Sequence, residues 1–230
     1  MLTPEPTRLN RSGLLGLGAL SELVAALARG ACVVLPADTG YMFAVDALSA
    51  RAIENLFAIK QRSLGNPIHV AVASLRQAKE LVHVSPKARE LMEHFLPGAL
   101  TVVMPKKERV PDLLVAHTGN LGIRIPNSPA VLQLCSEFGG PVTATSVNYP
   151  DEPPSYDARV ILTAFGSKID FLVEANEFDF ERSSTVVRIV GDQVELLREG
   201  PIDKAAIESV VGTVGEGALR RRANGPLIQL

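Results

Sequence analysis

The chain is short of the residues from which most catalytic signatures are built. Of 230 residues, two are cysteine and four are histidine. Cys32 lies in an apolar run and Cys135 in a helical pattern, so both read as small buried hydrophobes and give no disulfide framework. His69, His83, His94 and His117 are scattered without ligand spacing, which leaves no metal-binding cluster. There is no Gly-Lys-Ser/Thr phosphate loop and no Gly-x-Gly-x-x-Gly, so any nucleotide is held by another device. No Gly-x-Ser-x-Gly elbow supports covalent serine catalysis. No apolar run is long enough to span a membrane. A formal net charge of -2 excludes a polycation that wraps nucleic acid but leaves room for a local basic groove. Internal repeats and low-complexity linkers are absent, and reduced, buried cysteines fit a cytoplasmic setting.

What is present is an ordinary globular composition, 47% hydrophobic and 21% charged, with enough length for one large domain. Arg8 and Arg11 ahead of the apolar stretch 13–20 imitate a signal peptide. Glu22, Arg29 and the helical spacing of Leu20, Leu23, Val24 and Leu27 instead predict an amphipathic helix that stops at Gly30. Ser49 caps a second helix with Ile53, Leu56, Phe57 and Ile59 on one face. Ser85-Pro86 and Ser128-Pro129 each set a cap before proline at the first helical position. Strands are expected at 32–35, 68–72, 100–104, 121–125, 142–145, 185–190 and 194–197. The last two, joined through Gly191-Asp192, read as a hairpin and argue against an all-parallel sheet. The expected fold is α/β, a twisted mixed β-sheet with helices on its faces. It divides into an N-terminal arm over 1–17, a domain over 18–210 and a C-terminal tail over 211–230 that carries Arg220-Arg221-Arg222. Residues 149–157, rich in proline and acids, read as an exposed loop.

Two tripeptides stand out against this background. Lys60-Gln61-Arg62 closes the second predicted helix, and Ser146-Val147-Asn148 follows a short apolar strand. Together they offer two cations and two neutral hydrogen-bonding side chains, an inventory suited to a polyanion such as a nucleoside triphosphate. Each also has a plain structural reading: cations interact well with the last carbonyls of a helix, and Ser-x-Asn before Pro150 is turn chemistry. Arg124, bracketed by apolar residues, needs a carboxylate partner, which a bound ligand or the protein itself could supply.

The order of several short motifs resembles the YrdC-like family. Pro36-Ala37-Asp38-Thr39-Gly40-Tyr41 is similar to its Pro-Thr-Asp-Thr-x-Tyr. Lys60-Gln61-Arg62 is similar to its Lys-x-Arg, Leu96-Pro97-Gly98-Ala99-Leu100-Thr101 to its Trp-Pro-Gly-Pro-Leu-Thr, and Ile123-Arg124-Ile125-Pro126 to its Val-Arg-Val-Pro. Thr145-Ser146-Val147-Asn148 resembles its Thr-Ser-Ala-Asn, Ser184-Thr185-Val186-Val187 its Ser-Thr-Val-Val, and Arg198-Glu199-Gly200 its Arg-x-Gly.

Members with the Lys-x-Arg and Ser-x-Asn pair are threonylcarbamoyl-AMP synthases. The resemblance therefore implies a nucleotidyltransferase that condenses L-threonine, bicarbonate and ATP, with Mg²⁺, to threonylcarbamoyl-AMP and pyrophosphate. The product would pass to a downstream transferase for threonylcarbamoyladenosine modification of tRNA. It also implies a concave cleft in which Lys60, Arg62, Ser146 and Asn148 are catalytic. Lys60, Arg62, Ser146 and Arg198 would bind ATP, Thr39, Arg124 and Ser184 would bind threonine, and no resident metal is expected. Ala37, Met42-Phe43 and Asn120 depart from the family pattern at positions expected in the threonine pocket, in a manner similar to the YciO branch. The alternative implied by the resemblance is a non-catalytic protein that binds nucleotide or double-stranded RNA on its concave face.

Overall fold

The computed structural model describes residues 3–175 and 177–217; the Arg220-Arg221-Arg222 run lies outside them. In chain order the elements are β1 (Thr7–Arg8), α1 (Leu17–Ala28), β2 (Val33–Ala37), β3 (Gly40–Ala44), α2 (Ala50–Lys60), β4 (His69–Ala71), α3 (Leu75–Leu81) and α4 (Pro86–Phe95). They continue with β5 (Leu100–Pro105), β6 (Asn120–Arg124), α5 (Pro129–Phe138), β7 (Val142–Ser146), α6 (Ala158–Phe165), β8 (Phe171–Glu174), β9 (Thr185–Val190), β10 (Gln193–Arg198), α7 (Lys204–Val211) and β11 (Val214–Glu216).

The strands form one mixed sheet in the order β1-β8-β2-β3-β7-β4-β6-β5-β9-β10-β11. Pairs β2–β8, β4–β6 and β5–β9 are parallel, whereas β2–β3, β3–β7, β4–β7, β5–β6 and β9–β10 are antiparallel. The predicted β9–β10 hairpin turns at Gly191, whose φ of +60° is one glycine adopts without a steric penalty.

Alternation along β2 explains why its sequence is apolar without a break. Val33 and Leu35 face Leu20, Leu23 and Leu27 of α1 and Val131 and Leu134 of α5. Cys32 and Val34 face the larger core built with α2, α3, α4, α6 and α7. A strand buried on both faces has no polar side to show. Cys135 and Cys32 are free buried thiols, and burial pushes the Cys135 thiol up to about 12.

The predicted caps hold. Ser49, Ser85 and Ser128 accept from the backbone nitrogens of Ala52, Ala88 and Val131 at 3.3–3.4 Å, and prolines occupy the first turns of α4 and α5. The apolar run near the N-terminus is α1, with Leu20, Leu23 and Leu27 buried. Strands β1, β3, β8 and β11 were not expected from the sequence. β3 begins at glycine and is five residues long, and the other three are shorter still, so none carries a clear alternating pattern.

Candidate active site

Helices α1 and α5 cover only part of their face of the sheet. Beyond them, small and polar residues at strand ends leave an open cleft of about 800 Å³, counting the solvent space it opens to. Thr39, Arg62, Arg124, Ser146, Ser184 and Arg198 all line it, so the side chains expected to bind ligand converge from six separate places in the chain.

Arg62 is placed by the end of α2. Gln61 adopts φ +53° and ends the helix, and the Arg62 amide then bonds back to Phe57 O at 3.0 Å. The guanidinium donates through Nε to Asn66 O at 3.2 Å and through Nη2 to Pro67 O at 2.9 Å. Nη1 has no partner among the described residues.

Lys60 takes a different position. It is 2% exposed and lies behind the cleft wall. Its ammonium donates to Ser146 O at 2.5 Å, Asn148 O at 2.9 Å and Asn148 Oδ1 at 3.4 Å, and it stands 5.2 Å over the Phe43 ring. Burial, and then the charge of Arg62, bring the ammonium down to about 7. Ser146 Oγ and Asn148 Oδ1 are 2.6 Å apart, and Asn148 Nδ2 donates to Glu152 O at 2.7 Å. Lys60, Ser146 and Asn148 are thus one network that shapes the turn after β7.

Arg198 is brought in by Gly200. A Cβ at Gly200 would collide with the backbone of Ser183, Ser184 and Thr185, so only glycine lets the end of β10 press against the start of β9. Thr185 Oγ1 then accepts from Gly200 N at 2.9 Å and donates to Ile202 O at 2.6 Å. In that register Arg198 Nε donates to Ser184 O at 3.0 Å and Nη2 to Ser184 Oγ at 3.3 Å, while Ser184 Oγ also meets Thr101 Oγ1 at 2.9 Å. Burial, and then the nearby Arg124 charge, lower the Arg198 guanidinium to about 10.

Arg124, at the end of β6, is clamped by three acceptors. Nε donates to Gly98 O at 3.1 Å, Nη1 to Thr39 Oγ1 at 2.6 Å and Nη2 to Asp38 Oδ1 at 2.6 Å. Of the two partners open for Arg124 from sequence, the protein supplies one itself, since Asp38 makes a buried ion pair with it. Burial lowers the Arg124 guanidinium and Asp38 opposes that shift.

The rim was only partly legible from sequence. Gly40 has φ +113°, and a Cβ there would approach Tyr156 Cε1 to 2.7 Å, so the tyrosine of the 149–157 loop lies directly on the β2–β3 turn. Tyr41 meets Phe178 at 4.9 Å and accepts from Ala175 N through its hydroxyl at 3.0 Å. Pro154 lines the cleft, so this loop forms part of its wall. Of the departures expected in the pocket, Ala37 and Met42 line the cleft. Phe43 and Asn120 do not: Phe43 faces the opposite core against Phe165, and Asn120 starts β6 and donates to Thr118 O. The reason is sheet geometry, since Phe43 alternates away from Met42 and Asn120 lies about 13 Å along the strand from Arg124.

Chemically, the cleft presents three guanidinium groups with a buried ammonium beneath and hydroxyls of Thr39, Ser146 and Ser184 between them. Such an array neutralises several negative charges at close range. Among the described residues no group of three or more His, Cys, Asp or Glu could hold a metal ion. No helix among them is long and apolar enough to cross a membrane.

Comparison with known proteins agrees with this geometry. Residues 25–200 match the family model Sua5/YciO/YrdC, described as telomere recombination. A Mycobacterium tuberculosis protein is 33% identical over 82% of this chain and 87% of its own length. The threonylcarbamoyl-AMP synthase of Bacillus subtilis is 30% identical over 85% of this chain, which spans 57% of that longer protein. The crystal structure of Pyrococcus abyssi Sua5 complexed with L-threonine superimposes with a TM-score of 0.87 at 26% identity, covering 93% of this chain and 63% of that one.

Proposed function

The chain belongs to the Sua5/YciO/YrdC family, and from that premise we propose that it is an L-threonylcarbamoyladenylate synthase. It is a nucleotidyltransferase that joins L-threonine, bicarbonate and ATP into threonylcarbamoyl-AMP and releases pyrophosphate. The observation that carries the reading is the convergence of Arg62, Arg124 and Arg198 on one cleft, with Lys60 beneath it, in a chain whose net charge is -2.

The chemistry asks for such an array. Threonine's amine loses a proton and attacks the bicarbonate carbon, water leaves, and a carbamate forms. A carbamate oxygen then attacks the α-phosphorus in line with departing pyrophosphate. Each stage gathers anionic oxygens in a small volume, where preorganised cations act most strongly. Arg62 and Arg198 keep Nη1 groups that the described residues leave unpartnered, and these are suited to phosphate oxygens. Ser146 and Asn148 hold the turn against the nucleotide, and Lys60 fixes that turn from behind. Thr39, Arg124 and Ser184 form the amino-acid end, with Arg124 meeting the threonine carboxylate through N–H groups that Asp38 and Thr39 leave free.

Mg²⁺ enters as part of the substrate. Octahedral Mg²⁺ is commonly held by nucleotide phosphates and water, and a cleft lined by guanidinium and hydroxyl groups accommodates such a complex without protein carboxylates as ligands. The product supplies a tRNA-modifying transferase, which places the enzyme in the cytoplasm beside tRNA. The non-catalytic RNA-binding alternative draws on Ala37 and Met42, departures from the family pattern that line the cleft, and is outweighed by the relatives named threonylcarbamoyl-AMP synthase.

The deciding experiment is pyrophosphate release from ATP by purified protein with bicarbonate and Mg²⁺, with and without L-threonine. Threonine-dependent release that Lys60→Ala abolishes is expected. Tight ATP or RNA binding without turnover on any amino acid would overturn the assignment.

A further inference from the structure

The first step of the reaction needs a proton acceptor in the cleft. Threonine arrives as an ammonium, and its nitrogen attacks bicarbonate only after a proton has left. Among the described residues that line the cleft there is no carboxylate, and the charged side chains are Arg62, Arg124 and Arg198, which keep their protons. The Lys60 ammonium lies behind the wall with its protons directed at the Ser146 and Asn148 oxygens. Tyr41 also lines the cleft, but burial raises its phenol and so holds that proton in place. His69 remains, the one lining side chain that ordinarily exchanges a proton near neutrality.

The sheet sets its position. His69 opens β4 opposite Ala144 of β7, and the next residue, Val70, pairs with Ile123 of β6, so Gly122 is its neighbour on the other side. Residues two apart on a strand share a face, which puts His69 on the same face as Ser146 and Arg124. Ala71 pairs with Arg124, so Arg124 lies about 6–7 Å along the strand direction from His69, and Ser146 lies as far the other way. Gly122 leaves the room that the ring occupies. A Cβ there would stand 2.5 Å from His69 Cδ2, 2.8 Å from Cγ and 3.1 Å from Nε2. The imidazole thus lies across Gly122 with Nε2 buried, and Nδ1 is on the ring edge turned away.

A threonine held by its carboxylate on Arg124 carries its amine on the adjacent carbon, within reach of the row of the sheet where His69 stands. We propose that His69 is a catalytic residue, the base that takes the proton of the threonine ammonium on Nδ1. The freed amine forms the N–C bond to bicarbonate, the bond from that carbon to the hydroxyl breaks, and the hydroxyl leaves as water with one of the two protons the amine still carries. The imidazolium then returns its proton to solvent. Gly122 is the positioning residue that lets the ring lie where it does. The inference rests on the synthase reading.

The test compares the full chain with His69→Gln and His69→Gly in both directions of the reaction. Forward, threonine-dependent pyrophosphate release is measured. In reverse, ATP formation from threonylcarbamoyl-AMP and pyrophosphate is measured, which stops at the carbamate and moves no amine proton. Forward kcat is expected to fall about a hundredfold or more in both variants, while the reverse rate and the KM for ATP stay within about threefold. Added imidazole should raise forward turnover of His69→Gly about tenfold, by filling the space over Gly122, and leave His69→Gln unchanged. Equal losses in the two directions, forward kcat of His69→Gln within about threefold of the parent, or a His69→Gly variant that imidazole does not raise would each overturn the inference. If neither variant folds, Gly122→Ala displaces the ring without removing it and should lose about tenfold in the forward direction alone; an unchanged forward rate there overturns the inference too. An unaltered protein without threonine-dependent release would bring down the synthase reading, whereas turnover that His69→Gln matches removes only the base.

Discussion

The Lys60 ammonium and the Ser146 carbonyl oxygen, 86 residues apart, stand 2.5 Å from each other behind the cleft wall. The end of helix α2 is thereby tied to the end of strand β7, and the turn carrying Asn148 is held by the same nitrogen at 2.9 Å. Lys60 thus braces the turn that carries Ser146 and Asn148.

Lys60→Ala should therefore lose activity through the turn as well as through charge. Hydrogen bonds to a charged group contribute about 1.5–3 kcal/mol each, so kcat/KM is expected to fall by about two orders of magnitude or more. Hydrogen exchange at 146–152 should accelerate in the variant, and unchanged protection there would refute the bracing role.

Because burial holds Lys60 near 7, the proton balance has a defined sign. Between about 7 and the 10.5 of an ordinary lysine, the unfolded chain carries a proton on Lys60 that the folded chain lacks. Stability contributed by this group thus rises with pH across that window, and Lys60→Met should flatten the rise. Polyphosphate binding nearby favours the charged form, so calorimetry near pH 8 in buffers of different ionisation enthalpy should show proton uptake on ATP binding. Proton release would contradict the assignment.

Gly200→Ala is expected to cost about 2–4 kcal/mol, because the added Cβ meets backbone atoms of Ser183, Ser184 and Thr185 that cannot rotate away. For a chain of this size each kcal/mol corresponds to about 2–4 °C in Tm. A thermal melt within a degree of the parent would show that the β9–β10 junction relaxes freely.

At Gly40 two effects superimpose, a φ of +113° and the Tyr156 ring against the position of the missing Cβ. Gly40→Ala should raise the KM for threonine about tenfold or more by displacing Thr39. Tyr156→Ala relieves only the collision, so the double variant should recover part of the loss and no more. Full recovery in the cycle would mean that the backbone conformation carries no strain.

The sequence was informative where chemistry is local. A serine cap followed by proline, Gly191 in a two-residue turn and a double-sided apolar strand each name their own structure. The cleft-lining positions were recoverable as motifs, because residues at strand ends keep fixed companions such as Ser184 and Gly200. Partnership across the sheet was not legible. Nothing in Asp38 or Arg124 alone declares that they meet at 2.6 Å, since they are 86 residues apart. Tyr156 and Phe178, in stretches without periodicity, gave no sign that they pack on each other, Tyr156 against Gly40 and Phe178 against Tyr41. Strand β8, four residues with half-buried ends, has too little pattern to announce itself.

The groups around the cleft are drawn from residue 37 to residue 198, about three quarters of the described chain. No short fragment contains the site, and it comes into being only when the sheet is completed from β2 to β10. Ligand affinity is for that reason a reporter of global folding. At ATP concentrations a hundredfold above its dissociation constant, about 2.7 kcal/mol would be added to the stability of the entire sheet, and a partly melted molecule would forfeit all of it at once.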